Sequence, residues 1–301
     1  MRPFRFGLVW RGDGGVVDAA RRAEDTGYAT LLFPDHTGMV APLPAMAAAA
    51  AVTDRVRVGT QVVNIAFRPL GALAQEAAAV DVISDGRLEL GLGAGYAEGE
   101  VRSLGLPFPG NGARIREVAR ALDVLPRLFG GETVTEEPGP GRLREFTLAP
   151  LPPQGAGVPL MVGGNGDRML AVAASGAGTV QFTGFTSPPG PHVSHFTTAG
   201  LADRVGYVRG QAGDRFADLE LSVLVQHAHV TGDPRGRAAE LVGEMLSVDD
   251  ALDSPFLLLG SVDAICDRIV ELREQFGISY LTVFDSRQTG FGQVVSRLAG
   301  I

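Results

Sequence analysis

Hydrophobic positions along this chain switch repeatedly between a strand period and a helix period. Residues 4–10 alternate as a strand does, and Val17, Ala20 and Ala23 then mark the inward face of a helix over 18–26. A second strand at 28–33 is followed by an alanine-rich helix at 42–52 and by a continuous β-branched run at 56–63, a third strand buried on both faces. Arg68-Pro69 breaks that strand, after which Leu70, Leu73, Ala74, Ala77, Val80, Val82 and Ile83 recur at near-helical spacing. Ser84-Asp85-Gly86 ends the helix, with Gly86 placed for a left-handed cap, before a fourth strand at 87–92.

The alternation continues through a helix at 115–129, a strand at 158–162, a helix at 167–174 and a strand at 179–182. It then runs through a seventh strand at 219–230, helices at 233–246 and 261–275, an eighth strand at 278–284 and a closing helix at 294–298. Buried strands joined by helices are most economically built as right-handed parallel crossovers. Eight of them predict one α/β domain over residues 1–301, a closed parallel (β/α)8 barrel. Two stretches depart from the alternation. Residues 131–157 are rich in glycine and proline with short β-type pieces at 132–136 and 144–148, which predicts a surface hairpin insertion. Residues 185–197 read as a proline-rich loop.

Composition narrows the function classes. Hydrophobic residues make up 45% of the 301, much of it alanine, and no run of about 20 apolar residues predicts a membrane span. The first residues enter a strand directly without a signal-peptide pattern, so a soluble cytoplasmic protein is expected. A net charge of −8 argues against nucleic-acid binding. The single cysteine, Cys266, lies on a helical apolar stripe and excludes an internal disulfide.

In a barrel of this kind chemistry gathers where strands end in loops. Asp35-His36 follows the second strand: either a helix cap beside a surface histidine, or an imidazole that moves a proton near neutral pH. Asn64 ends the third strand as a turn residue or a hydrogen-bonding one. Gly93-Ala94-Gly95-Tyr96 follows the fourth, where glycines allow close backbone approach to a flat ring and Tyr96 can stack or donate its hydroxyl. Gly163, Gly164, Asn165 and Gly166 lead the fifth strand into a helix, a plain turn or an anion site of backbone N–H groups, with Thr183-Gly184 at the next strand end to complete it. His192 and His195 lack metal-ligand partners, and His227 and His229 share one face of a strand as core or rim histidines. Glu98 and Glu100 read as solvated carboxylates at a helix start.

Three blocks carry a family resemblance. They are RVGTQVVNIAFRPLGALAQEAAAVDVISDGRLELGLGAGYAEGE (57–100), AARRAEDTGYATLLFPDH (19–36) and LGSVDAICDRIVELREQFGISYLTVF (259–284). Together they resemble the bacterial luciferase-like oxidoreductases, TIM barrels that use reduced flavin or the deazaflavin coenzyme F420. The resemblance implies that Asp35 and His36 face the cofactor's reactive ring. It also implies a non-proline cis peptide at Gln61-Val62 backing that ring, with Asn64 and Gly95 close by. Gly163, Gly164, Asn165, Gly166 and Thr183 match the cofactor-phosphate loop. Some deazaflavin relatives carry a glutamate where Tyr96 stands, which argues against sugar-phosphate oxidation. Relatives commonly pair through the second and third helices, so a homodimer is expected across the alanine-rich segments 42–52 and 70–83.

Three functions compete on this reading. GLGAGY and the short chain lean toward an F420-dependent reductase or dehydrogenase acting on a small organic or modified-peptide substrate, with His36 and Tyr96 as catalytic residues. The second is a two-component monooxygenase supplied with reduced FMN. The third is a cofactor-free barrel serving as a binding or scaffold protein.

Overall fold

Eight parallel strands close on themselves: β1 (Arg5–Val9), β2 (Thr30–Phe33), β3 (Arg57–Thr60), β4 (Leu88–Gly93), β5 (Leu160–Gly163), β6 (Thr179–Phe182), β7 (Glu220–Val225) and β8 (Ile278–Phe284). Neighbours in sequence are neighbours in space. Val58 pairs with Leu88 where β3 meets β4, and Arg5 pairs with Tyr280 where β8 returns to β1. Closure removes the exposed edges that an open sheet would leave. The computed structural model describes residues 1–12, 14–184, 193–242 and 246–301.

The helices that cover the barrel are α1 (Val16–Thr26), α2 (Pro42–Ala50), α3 (Leu70–Ile83), α4 (Glu98–Ser103), α5 (Asn111–Phe129) and α6 (Asp167–Gly176). They continue with α7 (Thr198–Ala212), α8 (Pro234–Val242), α9 (Val248–Asp253), α10 (Val262–Phe276) and α11 (Gly292–Leu298). No helix among the described residues is long and apolar enough to cross a membrane. In α1 the inward face is Ala19, Ala20 and Ala23, with Val17 only half-buried, a one-residue rotation from the expected stripe. Helix α7 was not expected, because its buried Leu201, Val205 and Val208 are diluted by glycines and charges.

The strands alternate between this helical shell and the barrel interior. At the amino-terminal end the interior is charged: Arg57 meets Glu89 at 2.8 Å, Arg5 bridges Glu89 and Glu220, and Tyr280 is buried beside them. Above this lie Gln181, Ser222 and Thr282, joined by hydrogen bonds from Gln181 Nε2 at 3.2 and 3.1 Å. The glycines of β3 and β4 are spacers. A Cβ on Gly59 would stand 2.6 Å from the Glu89 carbonyl, and one on Gly91 would stand 2.2 Å from that of Thr60.

Two expectations change. Residues 219–230 are two strands, not one: β7 ends at Val225, and the chain is diverted when Gln226 N donates to the Phe256 carbonyl at 2.8 Å. His227–Val230 then joins Leu257–Gly260 and Gln288–Thr289 in a separate parallel sheet above the barrel. The 131–157 insertion is a hairpin with a single bridge, Val134 to Phe146. It does not project. Val134 and Leu148 are buried, and Arg120 on α5 ties it down through Glu136 at 2.6 Å. Residues 185–192 of the expected proline-rich loop, with His192, and residues 243–245 of the helix expected at 233–246 lie outside the described residues.

Replacing Gly91 with alanine sets a methyl group against backbone that cannot yield. Its urea midpoint should fall by the equivalent of about 1–3 kcal/mol. Gly210→Ala on the exposed face of α7 meets nothing within 4 Å and should instead stabilise by about 0.5–1 kcal/mol. Equal midpoints would show that the spacer role is wrong. In the small sheet, His227 stacks on His229 at 5.8 Å, and burial together with Arg287, His229 and Arg237 pushes its pKa from 6.5 down to about 4. The unfolded chain therefore takes up this proton first, and the native state loses stability as pH falls from 6.5 towards 4. His227→Gln should flatten the decline of Tm across that window, and a parallel decline in both proteins would refute the assignment.

Candidate active site

All the candidate residues reach the same rim, at the carboxyl ends of the strands. Asp35 and His36 leave β2, and Gln61, Val62 and Asn64 leave β3. Gly95 and Tyr96 leave β4, Gly163 to Gly166 leave β5, and Thr183 leaves β6. The Gln61-Val62 peptide is cis, as the sequence resemblance implied.

Asp35 is buried and engaged within the chain. Its carboxylate accepts from the Asn64 N–H at 3.0 Å and from both terminal nitrogens of Arg68 at 2.9 and 3.3 Å. It therefore fastens the turn after β2 to the segment after the cis bond. Asn64 Oδ1 accepts from the Ala66 N–H at 3.1 Å, and its side chain fills the place where a Cβ on Gly95 would stand, 2.5 Å away. Similarly, a Cβ on Gly93 would stand 2.3 Å from Val62 Cγ2. The expectation that these glycines open a path to a flat ring is corrected here: the space they leave is taken by Val62 and Asn64.

His36 is held from the other side. Its Nδ1 lies 2.9 and 3.0 Å from the two oxygens of Glu100, which also accepts from the Thr37 N–H at 3.3 Å. A carboxylate can only accept, so Nδ1 carries the hydrogen and Nε2 is the ring atom left for exchange. Tyr96 stands edge-on to the imidazole at 5.7 Å and is 60% exposed. Glu100 is thus no solvated carboxylate, and the sequence reading of it fails. Nothing local in the sequence signals this, because the partner, His36, lies on a different βα loop. Glu98 does face solvent, paired with Arg102 at 2.6 Å.

Two further positioning residues were missed. Arg68 pairs with Asp35, as above. Arg114 on α5 is buried and forms no ion pair among the described residues; it donates to the carbonyls of Gly95 at 3.1 Å and Pro109 at 2.7 Å and lies over the Phe108 ring. Burial lowers its pKa, and these acceptors tie it to the loop that carries Tyr96.

On the β5–β6 side Asn165 is 2% exposed, and its Oδ1 accepts from the Thr183 N–H at 3.0 Å. Its Nδ2 is buried with no partner, as is Oε1 of Gln61, whose Nε2 donates to Thr282 at 3.1 Å. Buried polar atoms are rarely left so, and here a donor and an acceptor of residues at the strand ends have no partner among the described residues. A Cβ on Gly164 would press on Met169, whereas Gly166, at the start of α6, has open space beside it. A planar, hydrogen-bonding group with an anionic extension fits this donor set and the α6 N-terminus. Among the described residues no three histidine, cysteine, aspartate or glutamate side chains are placed to hold a metal.

Known proteins resemble this chain in both sequence and fold. An F420-dependent glucose-6-phosphate dehydrogenase of Microbacterium testaceum is 33% identical over 184 residues, 57% of this chain and 54% of that protein. The chain spans about half the length of the curated relatives it matches at this level. The 4-hydroxyprotoasukamycin monooxygenase of Streptomyces nodosus subsp. asukaensis is 26% identical and covers 89% of this chain and 78% of its own. The structure of a coenzyme F420 dependent tetrahydromethanopterin reductase from Methanopyrus kandleri superposes with a TM-score of 0.78 at 17% identity, over 98% of this chain and 96% of that one, which establishes the barrel fold. The family model described as luciferase-like monooxygenase matches residues 14–193, and the chain belongs to that family.

Proposed function

We propose that this protein is a coenzyme F420-dependent oxidoreductase that reduces an activated C=C or C=N bond of a small organic or modified-peptide substrate. The observation that carries the reading is the His36–Glu100 pair beside Tyr96, on the same rim as the unanswered amide atoms of Gln61 and Asn165. When bound, the deazaflavin supplies or accepts hydride at its C5. Gln61, Asn64 and the cis Gln61-Val62 segment would back its ring, while Gly163, Gly164, Asn165, Gly166 and Thr183 would hold its phosphate at the α6 N-terminus. Asp35 acts through Asn64 and Arg68, keeping the β2 and β3 turns in register.

Reduction adds a hydride to one atom of the double bond and a proton to the other. Glu100 holds the His36 ring by Nδ1, so the proton would pass to substrate from Nε2, the ring nitrogen that Glu100 leaves free. Tyr96, largely exposed, would close over the substrate. His36→Ala should bind F420 within about tenfold of wild type yet lose at least about 10²-fold in kcat. Glu100→Gln keeps the geometry without the charge and should lose rate with little change in affinity. Normal single-turnover rates in both variants would make the histidine a mere lining residue.

A second reading, a monooxygenase fed with reduced FMN, is favoured by one observation: the 4-hydroxyprotoasukamycin monooxygenase matches 89% of this chain. Fluorescence titration of the purified protein with F420 and with FMN separates the two. Saturable binding of F420 alone supports the first reading, binding of FMN alone the second, and binding of neither would leave a scaffold barrel. We also infer a homodimer, with α2 and α3 of each copy in contact. Pro44, Val82 and Ile83 are exposed on their outer faces, Val82 by 47% and Ile83 by 51%. Sedimentation at micromolar concentration should report a dimer, and a monomer throughout would count against it.

A further inference from the structure

Among the described residues, two arginines at the mouth of the barrel have no carboxylate to answer them. Arg11 follows β1 and Arg287 lies in the turn after β8, their guanidinium carbons 5.6 and 5.0 Å from the centre of the Phe284 ring. Phe284 ends β8 and packs on the cluster of Val9, Leu32 and Tyr280, at the carboxyl end of the strand. Among the described residues Arg11 forms no ion pair, and Arg287 makes one 3.4 Å hydrogen bond, to Gln226 Oε1. The carboxylate two residues before Arg287 is already taken: Asp285 pairs with Arg22 at 3.1 Å.

Other partly buried arginines are answered more fully. Arg5 meets Glu220 at 3.2 Å, Arg57 meets Glu89 at 2.8 Å, Arg68 meets Asp35 at 2.9 Å and Arg120 meets Glu136 at 2.6 Å, while Arg87, Arg114 and Arg215 donate to backbone carbonyls at 2.7–3.1 Å. With a net charge of −8 the chain has acids to spare. Two guanidinium groups over one ring repel each other unless an anion lies between them. Burial and the charge of Arg11 both lower the pKa of Arg287, as expected of an unanswered pair. Guanidinium forks match carboxylate and phosphate oxygens in plane and spacing.

We propose that Arg11 and Arg287 form the subsite for an anionic group of the substrate, a carboxylate or a phosphate, held over the Phe284 ring. The subsite lies on β1 and β8, and β1 is the immediate neighbour of β2, which carries His36. Gln226 holds Arg287 in place through its carbonyl oxygen. The identification of the bound molecule as substrate rests on the oxidoreductase reading; the binding of an anion does not.

The test uses the protein without cofactor at constant ionic strength. Inorganic phosphate and acetate are titrated in separate arms, with chloride as the reference anion. Binding is read by calorimetry and by the emission of Trp10, the only tryptophan, which directly precedes Arg11. Saturable binding in either arm is expected, the stronger arm naming the group. Arg287→Gln and Arg11→Gln should each weaken it at least about tenfold, near 1.4 kcal/mol. Arg235→Gln, an exposed α8 arginine paired with Asp249, should leave it unchanged. Thermal unfolding checks that each variant is folded, and if Arg287→Gln is not, Arg11→Gln decides. No saturable binding of either anion by wild type, or equal binding by the folded variants, overturns the proposal. So does a loss of F420 affinity in Arg287→Gln beyond about tenfold, which would give the arginines to the cofactor. If wild type binds phosphate or acetate but no F420, the subsite stands and the oxidoreductase reading falls.

Discussion

The close approach of β3 and β4 is the constraint on which the site depends. Gly91, Gly93 and Gly95 alternate along the inward face of β4 and its extension, and a methyl group on any of them would collide with residues 60–64. Their absence of side chains lets the chain fold inward after Thr60, so that the Asn64 N–H reaches the Asp35 carboxylate. That bond sets the turn carrying His36, and the loop leaving Gly95 carries Tyr96 and Glu100 back to the same imidazole. One steric allowance thus propagates through two loops to the orientation of a single ring. The site is built on strand ends rather than on free loops, which keeps it rigid.

The two ends of the barrel are electrostatically unlike. At the amino-terminal end the interior charges answer one another, with Arg5 and Arg57 against Glu89 and Glu220 and Thr179 donating to Glu220 at 3.2 Å. Burial raises the pKa of Glu220 while Arg5 opposes that shift. Removing one partner there would leave a buried charge alone, so the network is a matter of stability. At the carboxyl end the groups are left partly unanswered: Gln61 Oε1, Asn165 Nδ2, Arg11 and Arg287. Unanswered polar groups cost stability and are retained where something else answers them.

Most of the barrel was legible in the sequence because period and burial agree. Leu70–Ile83, Thr179–Phe182 and Ile278–Phe284 fall where the pattern puts them. The failures have physical causes. Residues 219–230 read as one β-type run, although the apolar positions shift phase at Gln226-His227, from Leu219, Leu221, Val223 and Val225 to Ala228 and Val230. The break is fixed by a partner far along the chain, the Phe256 carbonyl, which draws Gln226 out of the barrel. The strand Leu257–Gly260 is short and apolar, and its place in a second sheet depends on that same departure. For the site, residue types at strand ends were readable, but pairings across loops were not. Glu100 has the local context of any helix-start carboxylate, and its meaning comes from His36, 64 residues away. The glycines were noticed for the right property, small size, and assigned the wrong neighbour.

This difference in legibility bears on how the fold supports varied chemistry. Strand and helix periods are local, so they are shared by any sequence that closes such a barrel, and they say little about reaction. What distinguishes this chain lies in contacts between strand ends: Glu100 on His36, Asp35 on Asn64, and two arginines on Phe284. All but the Arg287–Phe284 contact join residues from different βα units, and each lies at the carboxyl ends of the strands that close the barrel. On the β2–β4 side Asp35 and Glu100 are engaged by Arg68, His36 and backbone N–H groups, whereas on the β1–β8 side Arg11 and Arg287 form no ion pair among the described residues. An incoming anion therefore meets an uncompensated charge on only one side of the mouth. On the proposed function, that asymmetry would orient an anionic substrate before any short-range contact forms, its charged end toward β1 and β8 and its reactive end toward His36.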